Sequence, residues 1–294
     1  MNNTLKLTAI SSLLFLFISC TSDDNQKEEP TGKKNYLLTR VNYTAYPSAP
    51  IQTGDFTLNY TPEYREPEFV ALFDLTYDND KQVKELLLKK DMYENGLLVA
   101  RHSYTLKPKY NTFQQMETLT VSSEAHTTSE YSFSYENELV KNLQVLDNAR
   151  ISYNQHLVYN NLKQFTQASV QTIENEPRTM ELAYTYNSAN QLINLTDGNN
   201  EIDFSYDTGK NPFDALPFDL TTLILDNIYF VPLTYKFANT LASYTLSTEE
   251  SPFIFEHTYN EDNYITHTKI YRGSKVRDKH YMLIVYQYEV TKQD

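Results

Sequence analysis

Cysteine is nearly missing. The single one, Cys20, stands near the start of 294 residues, so no disulfide can form within the chain. Tryptophan is absent and glycine occurs only six times. Basic residues are outnumbered, 25 Lys and Arg against 38 Asp and Glu. An acidic excess of that size repels phosphate backbones and excludes nucleic acid as a natural partner. It also keeps the chain soluble. The one long apolar run, Leu13 to Ile18, is too short to cross a bilayer as a helix.

Familiar catalytic signatures are missing as well. The chain has no Gly-x-Ser-x-Gly elbow, no phosphate-cradling glycine loop and no nucleophilic cysteine. Its six histidines, His102, His126, His156, His257, His267 and His280, show no metal-ligand spacing. No cofactor and no metal are expected. Asp197, Asn199, Glu201 and Asp203 alternate after the manner of a calcium loop, but Gly198 stands second rather than sixth. A hairpin with its polar residues outward accounts for them. Carboxylate pairs of the glycosidase kind stay open, because so many acids produce accidental pairs.

What is abundant is tyrosine, 25 residues beside 15 phenylalanines. Tyrosine buries a large ring and keeps a polar tip, which suits a sheet of little interior depth. Many of these tyrosines sit in a recurring phrase, clearest at Ala183-Tyr184-Thr185-Tyr186-Asn187-Ser188-Ala189-Asn190-Gln191-Leu192. An aromatic or apolar residue, a spacer, a tyrosine and an Asp, Asn or Glu lead into a polar turn, and an apolar residue restarts the chain. The phrase is read at Tyr77, Tyr93, Tyr135, Tyr153, Tyr186, Tyr206 and Tyr259. Alternation before the tyrosine is strand periodicity. The Asx residue starts a turn by bonding its own backbone. Positions suited to a left-handed backbone follow at Gly96, Asn190 and Asn263, with Lys81 in the first copy. Each unit is therefore expected to be a hairpin. Leu192 and Leu195, like Val83 and Leu86, are three apart, which implies a bulge or a two-sided strand.

These residues resemble the YD repeat, Tyr-Asp-x-x-Gly-Arg-Leu, of Rhs-type shell proteins, although no copy carries the full Gly-Arg-Leu. Tyr206-Asp207-Thr208-Gly209-Lys210-Asn211-Pro212-Phe213 also resembles a phrase of Bacteroidota lipoproteins with eroded YD-like repeats. The resemblance covers about residues 70 to 288 and brings no catalytic residues. The expected fold is all-β, an antiparallel meander of repeated hairpins forming a twisted sheet or open shell.

The termini complete the organisation. Residues 1–19 read as a lipoprotein signal peptide, with Lys6 as its positive start. Phe17-Ile18-Ser19-Cys20 resembles a lipobox, which implies cleavage before Cys20 and lipid attachment to it. Two or more acyl chains anchor a protein stably. Removal of residues 1–19, whose one charge is Lys6, leaves 38 acids against 24 bases, a net charge of −14. Residues 20–35 read as a disordered acidic tether, and Ser22-Asp23-Asp24 resembles the signal that exports Bacteroidota lipoproteins to the cell exterior. Residues 36–294 form a single β-rich repeat domain. Pro47, Pro50, Pro62 and Pro67 mark edge strands or loops in its first part. Residues 214 to 226 leave room for a short capping helix, and Tyr281 to Val290 closes the sheet.

The function expected from these features is that of a lipid-anchored outer-membrane protein facing the exterior, without catalysis. It would bind an extracellular glycan or protein, or serve as an envelope scaffold. The alternative is an extracellular glycan or peptide hydrolase using loop carboxylates.

Overall fold

Sixteen antiparallel strands follow one another round a closed barrel in the computed structural model. It describes residues 34–46, 67–123, 128–147, 150–172, 179–213, 216, 239–275 and 280–292. The strands are β1 (Lys34–Ala45), β2 (Phe69–Tyr77), β3 (Val83–Glu94), β4 (Leu97–Tyr110), β5 (Met116–Ser123), β6 (Thr128–Glu136), β7 (Leu139–Asp147) and β8 (Arg150–Tyr159). They continue as β9 (Phe165–Thr172), β10 (Thr179–Tyr186), β11 (Leu192–Thr196), β12 (Glu201–Tyr206), β13 (Leu241–Leu246), β14 (Phe253–Tyr259), β15 (Ile265–Arg272) and β16 (Met282–Lys292). Val83, Leu86 and Leu87 lie in β3.

The expected open sheet or shell is corrected by the pairing of the first and last strands. β16 runs beside β1 from Lys34↔Lys292 to Ala45↔Met282, and β1 also pairs with β2. Closure leaves no free edge strand among the described residues, which an open meander cannot do. β1 holds no proline and pairs on both sides, so it is not an edge strand. Pro47, Pro50 and Pro62, read as marking edge strands or loops, lie outside the described residues.

Alternation decides which side of each strand is inside. In β2, Ala71, Phe73 and Leu75 are buried, while Asp74 and Thr76 look out. Ile202 and Phe204 of β12, Phe253 and Phe255 of β14, and Ile284 and Tyr286 of β16 repeat the pattern. Inward side chains from all round the barrel form one apolar cluster. Phe213 and Leu216, just beyond β12, belong to the same cluster. Phe213 meets Tyr286 edge-on, with ring centroids 6.3 Å apart, so the Asn-Pro-Phe phrase fills one end of the lumen. Most of the region expected to hold a capping helix, residues 214–215 and 217–226, lies outside the described residues.

A bulge recurs at one rim. The register shifts immediately before Tyr77, Tyr110, Tyr135, Tyr159, Tyr186, Tyr206 and Tyr259. One extra residue on the returning strand lets Val83 and Leu86, or Leu192 and Leu195, both face inward although three apart. The Asp197-Gly198 turn between β11 and β12 lies at the opposite rim, with Gly198 at φ 87° and Asp197 N–H donating to Asn200 C=O at 3.2 Å.

Candidate functional site

The tyrosine rim is built from one local device. In five turns an Asx residue follows the tyrosine: Asp78, Asn111, Asn160, Asn187 and Asn260. Its N–H donates to the carbonyl four residues on, at 2.8–2.9 Å. Its Oδ1 accepts two backbone N–H groups, as Asn187 does from Ala189 at 2.9 Å and Gln191 at 3.0 Å. The fourth residue after the tyrosine takes a left-handed backbone: Lys81, Gln114, Lys163, Asn190 and Asn263, all at φ 61–64°. Asx side-chain oxygens thus hold turns that contain no glycine.

The tyrosine hydroxyls then tie each hairpin to its neighbour. Tyr77 donates to Leu38 C=O at 2.5 Å, Tyr110 to Val83 at 3.0 Å and Tyr135 to Met116 at 2.8 Å. Tyr186 donates to Phe165 at 2.8 Å, Tyr206 to Leu192, and Tyr288 to Ile265 at 2.9 Å. Every acceptor sits beside a register shift, where the ladder is broken. Burial pushes the phenols up, to about 12 for Tyr110 and Tyr159.

Of the seven tyrosines singled out in the sequence, Tyr77, Tyr135, Tyr186, Tyr206 and Tyr259 stand on this rim. Tyr93 belongs to the opposite rim, before the Asn95-Gly96 turn. Tyr153 lies within β8, paired with Val145 and Thr172. The sequence reading passed over Tyr110, Tyr159 and Tyr288. Tyr110 and Tyr159 carried the same signal, a tyrosine followed directly by asparagine. Cys20, Ser22, Asp23 and Asp24 lie outside the described residues.

At β14 a histidine takes the tyrosine's part. His257 faces inward, and its Nε2–H donates to Leu241 C=O at 2.7 Å. The carbonyl can only accept, which puts the proton on Nε2, so Nδ1, 2.8 Å from Thr268 Oγ1, accepts from the hydroxyl. Burial lowers the imidazole below its ordinary range. Tyr259 turns instead to Asp207 Oδ2 at 3.2 Å. His267 stands on the outward face, so the two histidines do not meet across the hairpin.

The outer wall is hydrophilic. Arg40 pairs with Asp74. Arg101 grips Asp91 through two bonds of 2.7 Å. Lys107 lies 3.4 Å from Glu85. The exposed large apolar residues among those described are Leu97, Leu98 and Val99 at the start of β4 with Met92 of β3, and Phe113, Leu162, Met180 and Val290 singly. One part of the wall differs. Across β6 to β9 a depression of about 540 Å³ is lined by Ser132 and Ser134, Asn142 and Gln144, Asn154 and His156, and Ser169 and Gln171, with Phe133, Leu143 and the buried Gln155 between them. The first eight are two outward side chains from each strand, and none is an acid, a lysine or an arginine. Cross-strand bonds hold them. Asn142 Nδ2 donates to Ser134 Oγ at 3.1 Å, and Gln144 Nε2 donates to Asn154 Oδ1 at 3.0 Å. His156 Nδ1 lies 2.7 Å from Asn142 Oδ1, so it carries the proton. Glu181 borders the depression and accepts from Ser169 at 2.7 Å.

Among the described residues, no three His, Cys, Asp or Glu side chains gather where they could hold a metal ion. No described helix is long and apolar enough to cross a membrane.

No protein-family model and no curated protein matches the chain. Among solved structures, a porin-like protein from Bacteroides uniformis is similar in fold, with a TM-score of 0.54 and 11% identity over 86% of this chain and 98% of that one. A porin-like protein from Bacteroides vulgatus gives a TM-score of 0.32 at 9% identity, covering 87% of this chain and 99% of that one. The first likeness is one of fold alone.

Proposed function

We propose that this chain is an outer-membrane lipoprotein, held by lipid on Cys20 and facing the cell exterior, which acts by binding or as an envelope scaffold rather than by catalysis. The observation that carries the reading is the polarity of the wall. A barrel that lipid surrounds wears an apolar band outside and encloses a polar lumen. Here the buried apolar side chains fill the lumen, and the outward positions are mostly Ser, Thr, Asn, Gln and charged residues, with apolar ones such as Leu72 and Val285 among them. Such a barrel stands in water. Attachment to a membrane then falls to the segment before β1, where the lipobox-like Phe17-Ile18-Ser19-Cys20 and the acidic tether lie. A fold shared with a protein described as porin-like fits an envelope setting.

Two measurements test this. Cells fed labelled palmitate should label the wild-type protein and not Cys20→Ala. Protease shaving of intact cells should remove the protein while a periplasmic control survives. Labelling that persists in Cys20→Ala would sink the anchor, and protection from protease would sink the outward display.

A further inference from the structure

We infer that the depression across β6 to β9 is a binding site for an uncharged glycan. The inference rests on the binding reading above and names its ligand class. Its starting point is how the amides are used. Asn142 is engaged at both ends, by Ser134 and by His156, but its neighbours use one end of their side chains and leave the other open. Gln144 keeps Oε1, Asn154 keeps Nδ2 and His156 keeps Nε2, while the Gln171 amide makes no hydrogen bond among the described residues. The open groups are thus both acceptors and donors, on three neighbouring strands. A sugar presents the matching chemistry, hydroxyls that each donate and accept.

Two features make this more than a polar surface. The side chains are partly ordered before any ligand arrives, which lowers the entropy lost on binding. The site is also concave and spans four strands, about 14 Å at the usual strand spacing, which is room for a short oligosaccharide.

Other occupants fit less well. An acidic polymer would find no Lys or Arg among the eight lining side chains, in a chain of net charge −13. A peptide adding itself as a strand needs a free sheet edge, and the closed barrel offers none. A peptide docking by its side chains needs apolar pockets. Between the polar residues, Phe133 and Leu143 point into the barrel instead.

The test is native affinity electrophoresis of the full-length protein in detergent, through gels containing mannan, β-glucan, xylan or dextran, with polygalacturonate as the charged control. Retardation is expected on at least one neutral polymer and not on polygalacturonate. Gln171→Ala combined with Asn154→Ala should weaken the retarding interaction about tenfold or more. Gln171→Glu breaks no internal bond, so it keeps the fold while setting a carboxylate in the site, and it should weaken binding as well. Retardation on no neutral polymer, or equal retardation of wild type and both variants, overturns the proposal. Location is read separately by shaving, so a protein that binds glycan yet resists protease defeats the outward display and leaves this site standing. A protein that is shaved yet binds no glycan does the reverse.

Discussion

The Tyr110 hydroxyl donates to the Val83 carbonyl at 3.0 Å, joining the end of β4 to the start of β3. Val83 sits where the β2–β3 ladder shifts register, so the phenol supplies a donor where the ladder is broken. Tyr110→Phe keeps the ring and deletes the bond. The expected loss is about 1 kcal/mol, the net contribution of one such hydrogen bond. Urea unfolding should show a lower midpoint with an unchanged slope. An unchanged midpoint would mean that the ring alone matters.

The same rim makes the barrel sensitive to alkali. Burial raises Tyr110 and Tyr159 to about 12 in the folded chain, against about 10 when unfolded. Their neutral form is favoured by folding, so that stability is fully present below about pH 10 and is lost as pH rises toward 12. Tyrosinate absorbance should lag behind that of free tyrosine and then rise together with loss of β-sheet circular dichroism. Free-tyrosine titration in a still-folded barrel would refute this.

Much of the barrel was legible because its information is local. Alternation gave the strands, and the three-residue step between Val83 and Leu86 gave the bulge. The reading of the repeat erred where it relied on the residue pair alone. Tyr93-Glu94 fits the pair, but its turn is the two-residue Asn95-Gly96. An Asp or Asn directly after the tyrosine keeps Tyr77, Tyr186 and Tyr259, drops Tyr93 and adds Tyr110 and Tyr159, whereas the left-handed place four residues on is hidden where Lys81, Gln114 or Lys163 fills it. Closure was less accessible, since the pairing of Val41 with Tyr286 depends on contacts between the two ends of the chain. The polar depression was hidden for the same reason. Gln144, Asn154 and Gln171 are ordinary outward residues until three strands bring them together.

Lys163 occupies the left-handed position of its turn at φ 61°, where Asn190 and Asn263 stand in two sister turns. A long side chain is strained there by about 1 kcal/mol or more, and asparagine tolerates the conformation better. The Lys163–Glu138 pair, 3.4 Å apart and exposed, adds little. Lys163→Asn should therefore raise stability by about 0.5 kcal/mol, read as a higher thermal midpoint. A fall would show that the ion pair outweighs the strain.

Gly209 lies against the ring of Tyr259. A Cβ at that position would stand 2.5 Å from the tyrosine Oη and 2.8 Å from Cζ. Neither atom can yield easily, because Tyr259 is tied to Asp207. Gly209→Ala should cost about 1–3 kcal/mol by overpacking. Tyr259→Ala in the same chain should recover part of that loss, giving a coupling that a double-mutant cycle detects. Strict additivity would place the strain elsewhere.

His257 should give the barrel an acid-side weakness. Its imidazole is neutral, with Nε2–H on Leu241 C=O and Nδ1 accepting from Thr268. Burial is the main cause that lowers its pKa below the ordinary 6.5, opposed by the bond to Leu241 and by the charge of Asp207. The unfolded chain therefore takes up a proton that the folded chain resists. The resulting stability is present above about pH 6.5 and is lost as pH falls through the folded value. His257→Gln can still donate to Leu241 and cannot titrate. Its urea midpoint should be somewhat lower than wild type near pH 8, and should fall less between about pH 7 and pH 5.5. His156 and His267 are exposed and remain in both proteins, so the difference in slope reports His257. Parallel slopes would mean that the folded barrel accepts the proton at this site, with the Thr268 hydroxyl turning to receive the new Nδ1–H.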